Sequence, residues 1–125
     1  YMKKKKVCNL VNEFVQYYQS QFPWLWEWTI NIAYKSNNDT WSEVAMCVQI
    51  QGYVRRATIV IHEHALSVSE KELELLTLHE ICHLLMSDMM DSMSEKARKS
   101  VVNQEEKLCW DFAKSFVYGR DYQED

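Results

Sequence analysis

The chain has 125 residues, of which 47% are hydrophobic and 26% are charged, as expected for one domain with one hydrophobic core. Two glycines and one proline are too few turn-forming residues for a many-stranded sandwich or barrel. The same composition excludes a collagen-like or low-complexity chain. The formal net charge is -4, from 14 Lys and Arg against 18 Asp and Glu. A generic nucleic-acid binder would need a basic excess, so no nucleic-acid partner is expected.

The cysteines and the N-terminal region bear on the compartment. The first residues lack the uninterrupted apolar stretch and small-residue cleavage site of a signal peptide, and no segment reaches transmembrane length. The four cysteines are scattered, without the C-x-x-C pairing of zinc knuckles, and a chain of this size can build a core without disulfides. We therefore expect a cytoplasmic protein in a reducing compartment, with no membrane association.

The first half of the chain predicts one helix followed by three strands. Apolar residues recur at steps of three and four until Pro23, which predicts a helix over roughly 5–21. Three segments with a two-residue hydrophobic period follow, separated by a polar turn cluster at 36–39 and by Gln51-Gly52. We expect these three strands to form an antiparallel meander.

The second half predicts two helices. Ser69-Glu70-Lys71-Glu72 fits an S-x-x-E capping box and starts a helix that runs to about 86. Ser92-Met93-Ser94-Glu95 offers another capping box, for a last helix that runs to about 118. The expected fold is therefore α+β, with the order α-β-β-β-α-α in a single domain over residues 2–120. Residues 121–125 are predicted to form a frayed acidic tail.

The first of these two helices carries an H-E-x-x-H motif, His79-Glu80-Ile81-Cys82-His83. Four residues make about one helical turn, so both imidazoles project from the same face and can share one Zn²⁺. Glu80 is then placed to hold the metal-bound water. This spacing inside a well-capped helix predicts a zinc site at His79 and His83.

A third protein ligand is needed, because catalytic zinc sites usually present three ligands and keep the fourth position for water. No histidine follows His83, which removes every class of site with a downstream histidine. A carboxylate from the next helix remains, and Glu105 and Glu106 stand there side by side. Helical phase places Glu105 within the apolar side of the helix and Glu106 on its shoulder. Glu105 is therefore preferred as the third ligand, with Glu106 as the alternative.

The H-E-x-x-H helix followed by a helix with a ligand Glu resembles the gluzincins, the thermolysin-like zinc peptidases. The small size and the element order are most similar to the minigluzincins and to small metallopeptidase-like proteins of bacteriophages. The resemblance implies that His79, His83 and Glu105 bind one zinc ion and that Glu80 is the general base. Many gluzincins carry an Asp four residues after the ligand Glu, which orients the first histidine. This chain instead has Cys109 after Glu105 and Trp110 after Glu106.

The activity implied by this resemblance is hydrolysis of peptide bonds in a protein or peptide substrate, by a zinc-activated water with Glu80 as general base. In zincins the strand before the motif helix offers its edge to an extended peptide. Here the segment that fulfils this description consists of Arg56, Ala57, Thr58, Ile59, Val60 and Ile61. Transition-state stabilisation also needs a donor besides zinc, for which the candidates by residue type are His62, His64, Tyr118 and Tyr122.

A different class of function stays open beside the peptidase. The same fold can serve as a catalytically inactive binding module that docks a partner protein. The candidate docking surfaces are the sheet edge and the Trp-rich segment from Trp24 to Trp28, in which Trp24 and Trp26 are the hardest to bury together.

Overall fold

The computed structural model describes residues 1–36 and 44–123, and it confirms the predicted α+β fold and element order. The described residues contain three α-helices and three strands: α1 (Lys4–Gln21), β1 (Thr29–Lys35), β2 (Met46–Gln51), β3 (Arg56–His62), α2 (Glu70–Asp91) and α3 (Glu95–Gln123). Most of the turn cluster predicted at 36–39 lies outside the described residues. No helix in the described part of the chain has the length and apolar character needed to span a membrane.

The sheet is mixed rather than an antiparallel meander. Its strand order is β1-β3-β2, with β2 antiparallel and β1 parallel to β3. β3 is also the most buried strand, with Ile59 and Ile61 fully covered and Val60 covered on the opposite face. Placing the most apolar strand in the centre buries both of its faces, and this long-range preference is not contained in the two-residue period of each strand.

The central position of β3 corrects the predicted substrate edge. Arg56–Ile61 is paired with β1 on one side and with β2 on the other, so this segment has no free edge to offer a peptide. Among the described residues, the open edges of the sheet belong to β1 and β2. The expectation failed because it assumed that chain order in the sheet equals spatial order.

The helix boundaries follow local capping, with small corrections. Ser69 Oγ accepts a hydrogen bond from the Glu72 backbone N–H at 3.2 Å, which confirms the first predicted cap. Helix α2 continues to Asp91, five residues beyond the predicted end. The cap of α3 is Ser94 rather than Ser92, because Ser94 Oγ accepts from the Ala97 N–H at 3.1 Å. Helix α3 ends at Gln123, and Glu124 and Asp125 of the predicted tail lie outside the described residues.

A buried polar link connects the three helices. The Tyr18 hydroxyl of α1 donates to Glu74 of α2 at 2.5 Å, and the Arg120 guanidinium of α3 donates to both oxygens of the same carboxylate. Burial and the neighbouring carboxylate raise the pKa of Tyr18 above its usual range, so it stays a hydrogen-bond donor. This pairing fixes the position of α2 relative to α3.

The Trp-rich segment is mostly covered. Trp28 is buried in the core, Trp24 stacks on Phe22, and Trp26 alone is exposed, at 67%. A single exposed ring does not make the two-tryptophan surface suggested by the sequence.

Candidate metal centre

The motif histidines and Glu106 converge on one point between α2 and α3. The two Nε2 atoms of His79 and His83 lie 3.2 Å apart. The Glu106 carboxylate faces both, with Oε2 3.1 Å from His79 Nε2 and Oε1 3.0 Å from His83 Nε2. Ligands that bind zinc tetrahedrally at about 2.0–2.1 Å are themselves about 3.3 Å apart. The spacing of these three side chains therefore fits a metal ion.

Glu105 lies behind His83, on the opposite side of its ring. Its Oε2 is 2.6 Å from His83 Nδ1, a distance at which the Nδ1–H donates to the carboxylate. That tautomer leaves Nε2 with its lone pair directed at Glu106 and His79. The structure thus places the carboxylate of Glu106, the alternative predicted from the sequence, against both Nε2 atoms, and it pairs Glu105 with the far nitrogen of His83.

The helical phase of α3 predicts the burial of Glu105 correctly but does not identify the carboxylate that faces the two Nε2 atoms. The Glu105 side chain is 14% exposed and the Glu106 side chain 50% exposed, as the apolar stripe predicts. Because the Glu105 side chain is more deeply buried, its carboxylate contacts His83 at Nδ1, the nitrogen on the far side of the ring from Nε2. The shoulder position leaves Glu106 half-exposed in the cleft, facing both Nε2 atoms.

The electrostatics of this group favour a bound cation. Burial lowers the pKa of His79 to about 4, which keeps its imidazole neutral and able to bind a metal. Burial, reinforced by Glu106 and Glu105, raises the pKa of Glu80 to about 8. Among the described residues, no lysine or arginine forms an ion pair with these three glutamates. A cation between the imidazoles would supply the missing positive charge.

Glu80 stands beside the converging atoms. Its Oε1 is 4.0 Å from His79 Nε2, and its side chain is 9% exposed. His79, Glu80 and His83 together form a group that could hold a metal ion, which agrees with the predicted cluster.

Among the described residues, the Nδ1 atom of His79 lacks a carboxylate partner like the one that Glu105 gives to Nδ1 of His83. His79 Nδ1 is buried and has no hydrogen-bond partner among the residues that the structure describes. The Trp110 ring packs on the imidazole with the ring centroids 4.1 Å apart. Trp110 follows Glu106 by four residues, so an aromatic ring occupies the position where the resemblance leads one to expect an orienting Asp. On the Nδ1 side of the His79 ring, packing therefore takes the place of a hydrogen bond, whereas Nε2 faces Glu106 and His83.

The centre opens into a cleft of ≈ 740 Å³ between α2, α3 and β2. Strand β2 contributes one wall. Apolar side chains predominate on this strand, just before α2 and on the first turns of α2: Met46, Val48, Ile50, Val68, Leu75 and Leu76. Of the four predicted donor candidates, only His64 lines the cleft; the Tyr122 side chain lies outside the described part of the structure. His62 instead contacts Cys47 Sγ at 3.5 Å, and Lys71 lies over the Tyr118 ring.

Comparison of the chain with protein-family models, with curated proteins and with solved structures finds no match. The interpretation of the centre therefore depends on its own geometry and chemistry.

Proposed function

We propose that the protein is a zinc-dependent peptidase whose ligands are His79, His83 and Glu106. The observation that carries the proposal is the convergence of the two Nε2 atoms and one carboxylate, at 3.0–3.2 Å from one another, on the floor of an open cleft. Two nitrogens and one oxygen form a donor set suited to catalytic zinc. When bound, zinc supplies Lewis acidity, which lowers the pKa of water and polarises a carbonyl group.

The residues around the ligands have separate tasks in this proposal. Glu80 accepts the proton of the attacking water and delivers it to the leaving amine. Glu105 holds the His83 ring in the tautomer that presents Nε2. The cleft accepts an extended chain beside β2, where its apolar wall suits apolar side chains of the substrate.

The hydrogen-bond pattern of β2 indicates how its edge could receive a peptide. The His62 N–H donates to the Ala45 carbonyl at 2.9 Å, so this opposite pair is hydrogen-bonded. Bonded and non-bonded pairs alternate along an antiparallel ladder. With the observed register, Cys47, Gln49 and Gln51 bond to β3. The N–H and C=O groups of residues 46, 48 and 50 therefore point to the open edge, where a peptide can add as a further strand.

Metal removal tests the proposed activity. We expect zinc-loaded protein to cleave members of a diverse peptide pool, with new N-termini detected by mass spectrometry. Extensive chelation should abolish cleavage, and one equivalent of Zn²⁺ should restore it. Cleavage that survives chelation, or a zinc-loaded protein that cleaves nothing in the pool, would contradict the peptidase proposal.

A zinc-loaded protein that cleaves nothing in the pool would favour the other candidate, a catalytically inactive module that docks a partner peptide on β2. The specific observation behind this candidate is the unpartnered Nδ1 of His79 against Trp110, since removal of an outer-shell hydrogen bond commonly weakens metal affinity or activity 10–100-fold.

A substitution at Val48 tests the role of the β2 edge. Val48→Pro removes an outward N–H without removing a bond to β3, and proline is tolerated on edge strands. We expect kcat/KM to fall about tenfold, the equivalent of one lost main-chain hydrogen bond, with the fold retained. Val48→Ala is the matched control, because it removes the side chain and keeps the N–H. Equal effects of the two substitutions would show that only the side chain matters.

A further inference from the structure

A group of sulfur atoms lies on the far side of His83 from the cleft. Cys109 Sγ is 3.7 Å from His83 Nδ1 and 3.9 Å from Met86 Sδ. The ligand atoms of His83, Glu105 and Cys109 all lie within 4.8 Å of one another. This second group shares only His83 with the proposed hydrolytic ligand set, and it uses the other ring nitrogen.

A second thiol lies next to this group. Cys82 of α2 is a neighbour of Cys109 of α3 and interacts with its thiol, although its Sγ is not one of the three ligand atoms that lie within 4.8 Å of one another. Both cysteines are buried, with 3% and 0% exposure, and the hydrolytic mechanism uses neither. A buried pair of thiols beside an imidazole and a carboxylate supplies the three donor types found in protein zinc sites.

We propose that His83 Nδ1, Glu105, Cys109 and Cys82 form a second cation site, which binds a thiophilic ion. Two sulfur donors select soft or borderline cations such as Cd²⁺, Zn²⁺ and Cu⁺ over hard ions such as Mg²⁺ and Ca²⁺. On binding, both thiols release their protons to solvent, and the imidazole proton that is now on Nδ1, bonded to Glu105, is transferred to Nε2. The site stands independently of the proposed hydrolytic activity, because it requires no substrate.

The shared histidine couples this site to the first one. A neutral imidazole carries one N–H, so a cation at Nδ1 requires the proton to be on Nε2. Nε2 is the atom that faces His79 and Glu106. A thiophilic ion behind His83 should therefore weaken metal binding in front of it.

Cadmium titration tests the second site directly. The background is the full chain with Cys8→Ser and Cys47→Ser, which removes the two thiols outside the group, kept metal-free and reduced. We expect a near-ultraviolet thiolate-to-cadmium absorption band. Its amplitude should correspond to one thiolate-bound Cd²⁺ per chain. Adding Cys109→Ala should abolish the band, and Glu105→Gln should weaken Cd²⁺ binding at least about tenfold while keeping both thiols.

A variant of the first site provides the control. Glu106→Gln in the same background removes a proposed zinc ligand and leaves all four donors of the sulfur site, so the band should persist. Folding of each variant is checked by circular dichroism, and Cys82→Ala replaces Cys109→Ala if the latter does not fold. The absence of a band, or a band that keeps its affinity after either cysteine is replaced, would overturn the proposal.

Discussion

Replacing Glu106 by Gln is expected to remove zinc, whereas the same change at Glu105 is expected to leave it bound. Structural zinc sites with four ligands bind with roughly 10–16 kcal/mol, so one ligand contributes on the order of 3 kcal/mol. Its loss weakens affinity by about two orders of magnitude. At Glu105 the amide oxygen of Gln still accepts the hydrogen bond from His83 Nδ1, so we expect a loss of about tenfold.

The two variants form a matched pair, because they differ only in which neighbouring carboxylate becomes an amide. Zinc affinity is measured by competition with a chromophoric chelator, and zinc content by elemental mass spectrometry after dialysis. Both are made in a Cys109→Ala background, so that zinc held by the sulfur site is not counted. The opposite ranking, with zinc lost from Glu105→Gln and kept by Glu106→Gln, would assign the ligand to Glu105, as helical phase predicts.

Local sequence signals account for most of the fold. Periodicity located the helices and strands, and the Ser69 cap was predicted to the residue because a capping box is a contact within four residues. The H-E-x-x-H spacing brought His79, Glu80 and His83 together for the same reason, since one helical turn defines their geometry. These predictions needed no knowledge of how distant segments pack.

Features that depend on packing between distant segments could not be predicted in this way. The parallel pairing of β1 with β3 joins residues far apart in the chain, and nothing in either strand's alternation specifies the neighbour. The same holds for the polar link between Tyr18, Glu74 and Arg120. Each residue lies on a different helix, and the local sequence pattern around it does not indicate its partners. Only the assembled fold shows that one carboxylate serves both partners.

The choice between Glu105 and Glu106 illustrates the limit at the site. Helical phase gives the direction of a side chain around the α3 axis, but the ligand is decided by its height relative to the histidines of α2. That height depends on how α2 and α3 dock, which the sequence pattern leaves open. Phase therefore identifies the buried glutamate correctly and ranks second the glutamate that faces both Nε2 atoms.

Replacing Glu80 by Gln is expected to abolish peptide hydrolysis and to leave zinc in place. Glu80 Oε1 lies 4.0 Å from His79 Nε2, but Glu80 is not one of the three proposed zinc ligands. Its replacement therefore removes a proton acceptor and no ligand. General-base catalysis typically contributes 10²–10⁴-fold, and we expect kcat to fall by about this factor. The amide of Gln keeps the size of the side chain and fills the same buried space.

Glu72→Gln is the control for this experiment, because Glu72 also lines the cleft but lies two turns before the motif on α2. We expect this variant to keep kcat within about twofold, as a change distant from the reacting groups should. Rates are measured on a peptide identified from the pool, with zinc content determined on the same samples. Full activity in Glu80→Gln would remove Glu80 from the mechanism, and an equal loss in Glu72→Gln would point to the charge of the cleft rather than to proton transfer.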